Sequence, residues 1–261
     1  MCRQFPLYVD EVQRGVELEC WERGYALMLG GTSRSNPDVT VTDIAGRVDG
    51  LAVFPQTISG ALLDRIARSI PVVVLSTPDR DDSFSHVTVD NRGGTRAITE
   101  HLIGAHGMRD LLFIGDMHTD ENRQRFAGFR DTLRSAGLSV PENAYVPVPG
   151  HDPSGVFDRA QRKIPIGLVC ANDDEALRTM DLLAARGVAV PDQVAVTGFD
   201  GIVASRVVRP SLTTLRQPMV HMGRAAVDIL LGQIEAPDPA QVIRQLPLQL
   251  ILRESCGCRT R

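Results

Sequence analysis

The sequence predicts an α/β protein built as two doubly wound parallel-sheet lobes. Short β-branched runs alternate with amphipathic stretches of roughly ten to fifteen residues, the pattern of successive βαβ units. This series breaks near Arg109 and starts again, so two sheets are expected. At 261 residues the chain is long enough to give each lobe a core of its own.

The elements follow in order. Val9–Arg23 carries Val12, Val16 and Cys20 at helical spacing, and Gly24 ends the helix. Tyr25–Leu29 reads as a strand, as does Gly50–Phe54, which Pro55 closes. Ala61–Ser69 is helical, and Pro71–Leu75 is an apolar run suited to a strand covered on both faces. His86–Val89 is the next strand, followed by Asp90-Asn91-Arg92-Gly93-Gly94 and a helix from Thr95 to Ala105. In the second series Leu111–Gly115 is a strand, and Asn122–Ala136 is a helix with Phe126, Phe129 and Leu133 on one face. Tyr145–Val148 reads as an edge strand, since Pro147 removes a ladder donor. Ile166–Cys170 is a strand, Asp174–Arg186 a helix and Val194–Thr197 a strand. A helix over His221–Ile234 and a strand over Leu246–Leu252 complete the chain.

Composition narrows the function. Net charge is −4, so no basic excess marks a nucleic-acid or anionic-membrane surface. The opening MCRQFPLYVDEVQRG has no apolar core of a secretory signal, and no window approaches the roughly 18 apolar residues of a membrane helix. A cytoplasmic protein is expected. There is no Gly-x-Gly-x-x-Gly after a strand, no Walker loop and no Gly-x-Ser-x-Gly elbow, so no enzyme and no cofactor are expected.

Five scattered cysteines argue against a disulfide framework. Cys20 and Cys170 read as small apolar fillers. The tail Cys256-Gly257-Cys258 suits metal or redox chemistry only beside a second ligand cluster, and a frayed terminus is the simpler expectation. His101 and His106 are five apart and do not form an i, i+4 metal pair. His118, between Asp116 and Asp120, reads as part of a solvated turn. No metal site is expected.

Polar residues gather where strands end: Asp90-Asn91, Asn172-Asp173 and Asp200. Each alone reads most simply as a helix cap or turn. Three such ends at the carboxyl edges of parallel strands point to a ligand site.

Several stretches carry a family pattern: VQRGVELECWERGYALML, GRVDGLAVFP, IPVVVL, VTVDNRGGTRAITEHLIGAHG, LLFIGD, RQRFAGFRDTLRSAGL, VCANDDEAL, GVAVPDQVAVTGFD, RPSLTTLRQP, MGRAAVDILL and LILRES. In order and spacing they span most of residues 9–255. The chain resembles the effector-binding core of the lac repressor (LacI/GalR) type of bacterial transcription regulators, which shares the type I fold of periplasmic sugar-binding proteins. The resemblance implies three crossovers, near Gly107–Arg109, Arg216–Pro218 and Pro237–Val242. The N-terminal lobe would then be 1–107 plus 217–238, and the C-terminal lobe 108–216 plus 239–255, with 256–261 as a tail. It further implies that Arg125 of RQRFAGF, Asn172 of CANDD and Asp200 of GFD contact a sugar or nucleobase-like effector. Gln217, Gly93 and Tyr8 complete that set. A homodimer is implied through the loop with Arg206, Val207 and Val208, beside helices 174–186 and 12–23.

Four departures from the family pattern bear on these expectations. The family's helix-turn-helix and hinge helix do not occur in these residues, so operator DNA would be reached only through a segment outside this chain. The strand that precedes the Pro6-Leu7-Tyr8 turn is also missing, which would leave a gap in the first sheet. Asn36–Thr42, with Pro37 and several β-branched residues, reads as a poor helix. Gly150 stands where relatives carry a stacking aromatic, which weighs against a flat ring ligand. The alternatives are a solute-binding protein for sugar uptake, which calls for a signal peptide, and an α/β enzyme.

Overall fold

A computed structural model describes residues 6–30, 37–54, 58–76, 78, 84–138, 140, 145–146, 166–236 and 240–258. Gly150 and Pro237 lie outside them. In chain order the elements are α1 (Pro6–Arg23), α2 (Pro37–Ala45), β1 (Leu51–Val53), α3 (Gly60–Ala67), β2 (Val72–Val74), β3 (Ser85–Val89) and α4 (Asn91–His106). Then come β4 (Asp110–Ile114), α5 (Asp120–Ser135), β5 (Tyr145–Val146), β6 (Ile166–Cys170), α6 (Asp173–Ala185), β7 (Val194–Asp200) and α7 (Ala204–Val207). The chain finishes with β8 (Thr213–Arg216), α8 (Met219–Glu235), β9 (Ile243–Leu246), β10 (Gln249–Ile251) and a 3-10 turn, Glu254–Cys256.

Two compact units result, 1–89 with 218–246 and 90–217 with 247–261. The first boundary therefore falls at Val89/Asp90 rather than at 107–109. Helix α4 goes with the second unit because it packs on α5, β6 and β8 there.

The first unit holds a parallel sheet in the order β1-β2-β3-β9. Val53, Val72, Val74, Leu62, Leu63, Ile66 and Phe84 form its core, joined by Val41 of α2. That burial explains why α2 exists against its propensity. Proline is tolerated at the first helical position, and Asp38 accepts the Ser59 hydroxyl at 2.9 Å, so tertiary contacts outweigh the β-branched residues. Tyr25–Leu29, expected as a strand, runs without a ladder partner among the described residues, and Tyr25, Leu27, Met28 and Leu29 are exposed. A strand needs a neighbour to take up its backbone donors and acceptors, and none is offered here.

The second unit holds a six-stranded sheet, β10-β8-β7-β6-β4-β5, parallel except for β10 against β8. One face packs Leu112, Ile114, Leu168, Val194 and Val196 on Ala176, Met180 and Leu183 of α6. The other carries Phe113 against Phe126 and Phe129 of α5, with ring centroids 5.4 and 5.8 Å apart. The single strand expected over Leu246–Leu252 is two. Pro247 lacks an amide donor, and the chain leaves one sheet at Leu246 and enters the other at Gln249.

Helices α1 and α8 meet backbone to backbone. A Cβ on Gly15 would lie 2.0 Å from the Val220 carbonyl oxygen, and one on Gly223 would lie 2.1 Å from that of Val12. Neither backbone can yield without separating the helices. Gly223→Ala gains about 1 kcal/mol of helix propensity but costs about 1–3 kcal/mol in overpacking. The expected outcome in thermal unfolding is a lowered Tm. A rise would mean that propensity dominates.

Candidate functional site

Three strand ends of the second unit meet in one polar cluster. Asp200 closes β7, Asn172 precedes α6 just beyond β6, and Gln217 follows β8. Arg125 reaches them from α5. All four side chains are buried.

Arg125 is held from several sides. Its Nε donates to Asn91 Oδ1 at 2.8 Å and its Nη1 to the Ala171 carbonyl at 2.5 Å. The guanidinium carbon lies 3.6 Å from the centroid of the Phe199 ring, a stacked cation. Nη1 is also 3.7 Å from Asp200 Oδ1. Asp200 accepts from Gln217 Nε2 at 2.7 Å, and its own carbonyl accepts the Gln217 amide at 2.9 Å. Burial pushes the Asp200 carboxyl up to about 6, while Arg125 and then Gln217 hold it down. Its backbone lies at φ +116°, a region costly for any residue with a Cβ.

The alternative role for Asp200, capping the turn through Gly201 and Ile202, belongs instead to Asp173. Asp173 Oδ2 accepts the amides of Gly201 and Ile202 at 2.8 and 2.9 Å, and Oδ1 accepts the Thr214 hydroxyl at 2.5 Å. Burial, then the nearby Asp200, push its carboxyl well above the usual range against those three donors. Gly198 makes room for it, since a Cβ there would sit 2.2 Å from Asp173 Oδ1.

With the cap assigned to Asp173, each of four residues keeps one polar atom unspent among the described residues: Asp200 Oδ2, Arg125 Nη2, Gln217 Oε1 and Asn172 Nδ2. Asn172 does cap α6 through Oδ1, which accepts the Glu175 amide at 2.9 Å, so it has both readings at once. Gly93 is explained locally. Its amide donates to Asp90 Oδ1 at 2.7 Å, and a Cβ would meet Asp90 Oδ2 at 2.1 Å. Tyr8 belongs to the first unit, where its ring meets Phe54 edge-on and its hydroxyl lies 3.7 Å from the Met222 sulfur. Two contributors escaped the sequence reading of the site. Asn91, at a polar strand end, positions Arg125, and Phe199 supports it from within an apolar strand.

Over its described residues, up to Cys258, the tail is held in place rather than frayed. Ser255 Oγ donates to the Val196 carbonyl at 2.6 Å, and Cys256 is buried. It brings Cys256 and Cys258 to His101 and His106, a group with metal-ligating atoms within 4.8 Å of one another. Burial, then His106, push His101 down. Burial, then Cys256, push Cys258 up to about 11.

Residues 99–256 match the periplasmic binding protein-like domain, which places the chain in that class. It is 30% identical over 266 residues to the HTH-type transcriptional repressor PurR of Haemophilus influenzae, covering 95% of this chain and 77% of the relative. The transcriptional regulator CelR in its cellobiose complex is 27% identical with a TM-score of 0.82, over 95% of this chain and 79% of that one. A LacI-family regulator from Enterococcus faecium with bound ribose has the same fold, with a TM-score of 0.81 at 19% identity over 97% and 96% of the two chains. The chain belongs to the lac repressor family of transcription regulators, as a relative of its effector-binding cores.

Asp173→Ala leaves two amides and a hydroxyl without their acceptor. It is expected to destabilise the second unit by at least about 3 kcal/mol, at about 1–3 kcal/mol for each of the three orphaned groups. Asp173→Asn keeps an acceptor and costs less. Denaturant unfolding of both variants checks the order.

Proposed function

We propose that this chain senses a small polyhydroxylated effector, a sugar, for a transcription repressor, and that Asp200, Arg125, Gln217 and Asn172 hold it. The observation that carries the reading is the set of unspent atoms, two acceptors and two donors on buried, fixed side chains. A vicinal diol both donates and accepts, and a carboxylate beside a guanidinium matches it with charge-assisted bonds. Phe199 already carries the Arg125 guanidinium on its face, so stacking of a flat base there is disfavoured. Relatives crystallised with cellobiose and with ribose support the same class.

In this reading the protein is cytoplasmic and not an enzyme, and operator contact belongs to a helix-turn-helix head outside these residues. No described helix is long and apolar enough to cross a membrane, and the net charge of −4 supplies no basic surface excess. The chain acts as a homodimer. Val207 is 69% exposed at the end of α7 beside Arg206, and Trp21 is 81% exposed on α1. Such apolar area on a soluble protein is best explained by a covering partner. Val208 packs partly under its own unit, which leaves Val207 as the contact.

Thermal-shift measurements with pentoses, hexoses, disaccharides and purine bases test the proposal. A sugar at a hundredfold its Kd is expected to raise Tm by roughly 5–10 °C; binding of a base and of no sugar would overturn it. For the sugar found, Asp200→Asn is expected to lose about 1.5–3 kcal/mol, roughly tenfold to hundredfold in affinity, with an unliganded Tm at about pH 7 that is not lowered, since the variant removes a buried charge.

The same site makes binding depend on pH. The unliganded carboxyl titrates at about 6, and donated hydroxyls favour its charged form, which lowers the bound value. Affinity is therefore full above about pH 6 and falls, by at most about tenfold per unit, as pH drops below it. Calorimetry from pH 7.5 to about 5 shows this slope in the parent and not in Asp200→Asn.

A further inference from the structure

We propose that His101, His106, Cys256 and Cys258 form a structural zinc site that fastens the C-terminal segment to the end of α4. Each pair with a defined separation fits one edge of a tetrahedron. His101 Nε2 and His106 Nε2 are 3.2 Å apart. Cys256 Sγ lies 3.7 Å from His101 Nε2, and Cys258 Sγ lies 3.5 Å from the Nε2 of both histidines. Zinc bonds of about 2.0–2.1 Å to nitrogen and about 2.3 Å to sulfur give edges of about 3.4 Å between nitrogens and about 3.6 Å between nitrogen and sulfur. Two nitrogens and two sulfurs at these spacings select zinc over the harder divalent ions.

Hydrogen bonding alone accounts poorly for the same positions. His101 Nε2 faces three polar neighbours, whereas a neutral ring nitrogen donates or accepts one hydrogen bond. A central cation answers all three contacts. Two thiolates would neutralise a dipositive ion, so the loaded cluster carries no net charge into a partly buried position.

The backbone around the cluster is held by contacts of its own. Gly257, between the cysteines, adopts φ +97°, and its amide donates to the Glu254 carbonyl at 2.8 Å, which ends the 3-10 turn. A Cβ at Gly257 would touch the His106 ring at 3.4 Å. The Ser255 amide donates to the Ser211 carbonyl at 2.9 Å, and the Thr213 hydroxyl lies 3.0 Å from Cys256 Sγ. The Thr213 contact holds the Cys256 sulfur from outside, as hydrogen bonds around metal ligands commonly do, and the backbone bonds hold the segment that carries both cysteines. Every ligand and support lies in the second unit, so the site forms within one body.

The test uses the whole chain, reduced and stripped of metal by a chelator. Zinc titrated against a chromophoric chelator is expected to bind at one ion per chain and to raise Tm by roughly 5–10 °C at a hundredfold its Kd. Cobalt(II) is expected to show the intense d–d bands of a tetrahedral ion together with thiolate charge transfer. Cys258→Ser and His101→Gln should each weaken zinc binding at least tenfold, while His118→Gln leaves it unchanged. Failure to bind stoichiometric zinc with free thiols would overturn the proposal. So would an octahedral cobalt spectrum in the parent chain, or variants that bind zinc as the parent does. A Cys256–Cys258 disulfide whose reduction restores no metal binding would also count against it.

Discussion

The carboxylate of Asp173 is the constraint on which the candidate site rests. It is fully buried, and it accepts from the amides of Gly201 and Ile202 and from the Thr214 hydroxyl. One side chain at the start of α6 thereby ties together the turn after β7 and the neighbouring strand β8. Asp200 precedes that turn, and Gln217 follows β8 immediately. Their mutual placement depends on a residue with no hydrogen-bonding atom left over. Gly198 belongs to the same arrangement, because any side chain there would occupy the space of Asp173 Oδ1.

Periodicity exposed most of the fold, and the failures have identifiable causes. Strands such as Ile166–Cys170 and helices such as α5 were legible because one local pattern decides each. Helix α2 was not, since Val41 gains from burial in a core assembled by distant residues. Tyr25–Leu29 has strand composition, but composition cannot supply a neighbouring ladder. The 246–252 segment looked continuous because apolar residues flank Pro247, and only the two sheets show that proline marks a transfer between them. At the site, the polar strand ends were readable, but the division of labour between adjacent carboxylates was not. Asp173 and Asp200 are both acids at strand ends, and only three-dimensional hydrogen bonding separates the cap from its neighbour.

The His/Cys group shows a different limit. A spacing of five on a helix rotates two side chains well apart, so His101 and His106 did not suggest a pair. His106 is the last residue of α4, where Gly107 turns into the left-handed region at φ +65°. Long imidazole side chains then close the remaining distance, with ring centroids 4.9 Å apart. The cysteines arrive from a segment about 150 residues later in the sequence, anchored by Ser255 and Thr213. The signal available in sequence was the Cys-Gly-Cys turn itself, where glycine permits the positive φ that a short chelating loop needs.

Asp200 bears two costs that stability alone would remove. Its carboxyl is buried with its titration raised to about 6, and its backbone lies at φ +116° without being glycine. Asp173, whose carboxyl feels the charge of Asp200 in the same unit, shows how a buried carboxylate is satisfied when structure is its whole role: three donors, none to spare. Asp200 has Gln217 as its close donor, with Arg125 held at 3.7 Å by bonds to Asn91 and Ala171. The guanidinium is thus kept from collapsing onto the carboxylate, and each retains a free atom. A raised acid in a costly backbone conformation, beside an arginine restrained from pairing fully with it, is the physical ground on which the proposed sugar-binding role of Asp200 rests.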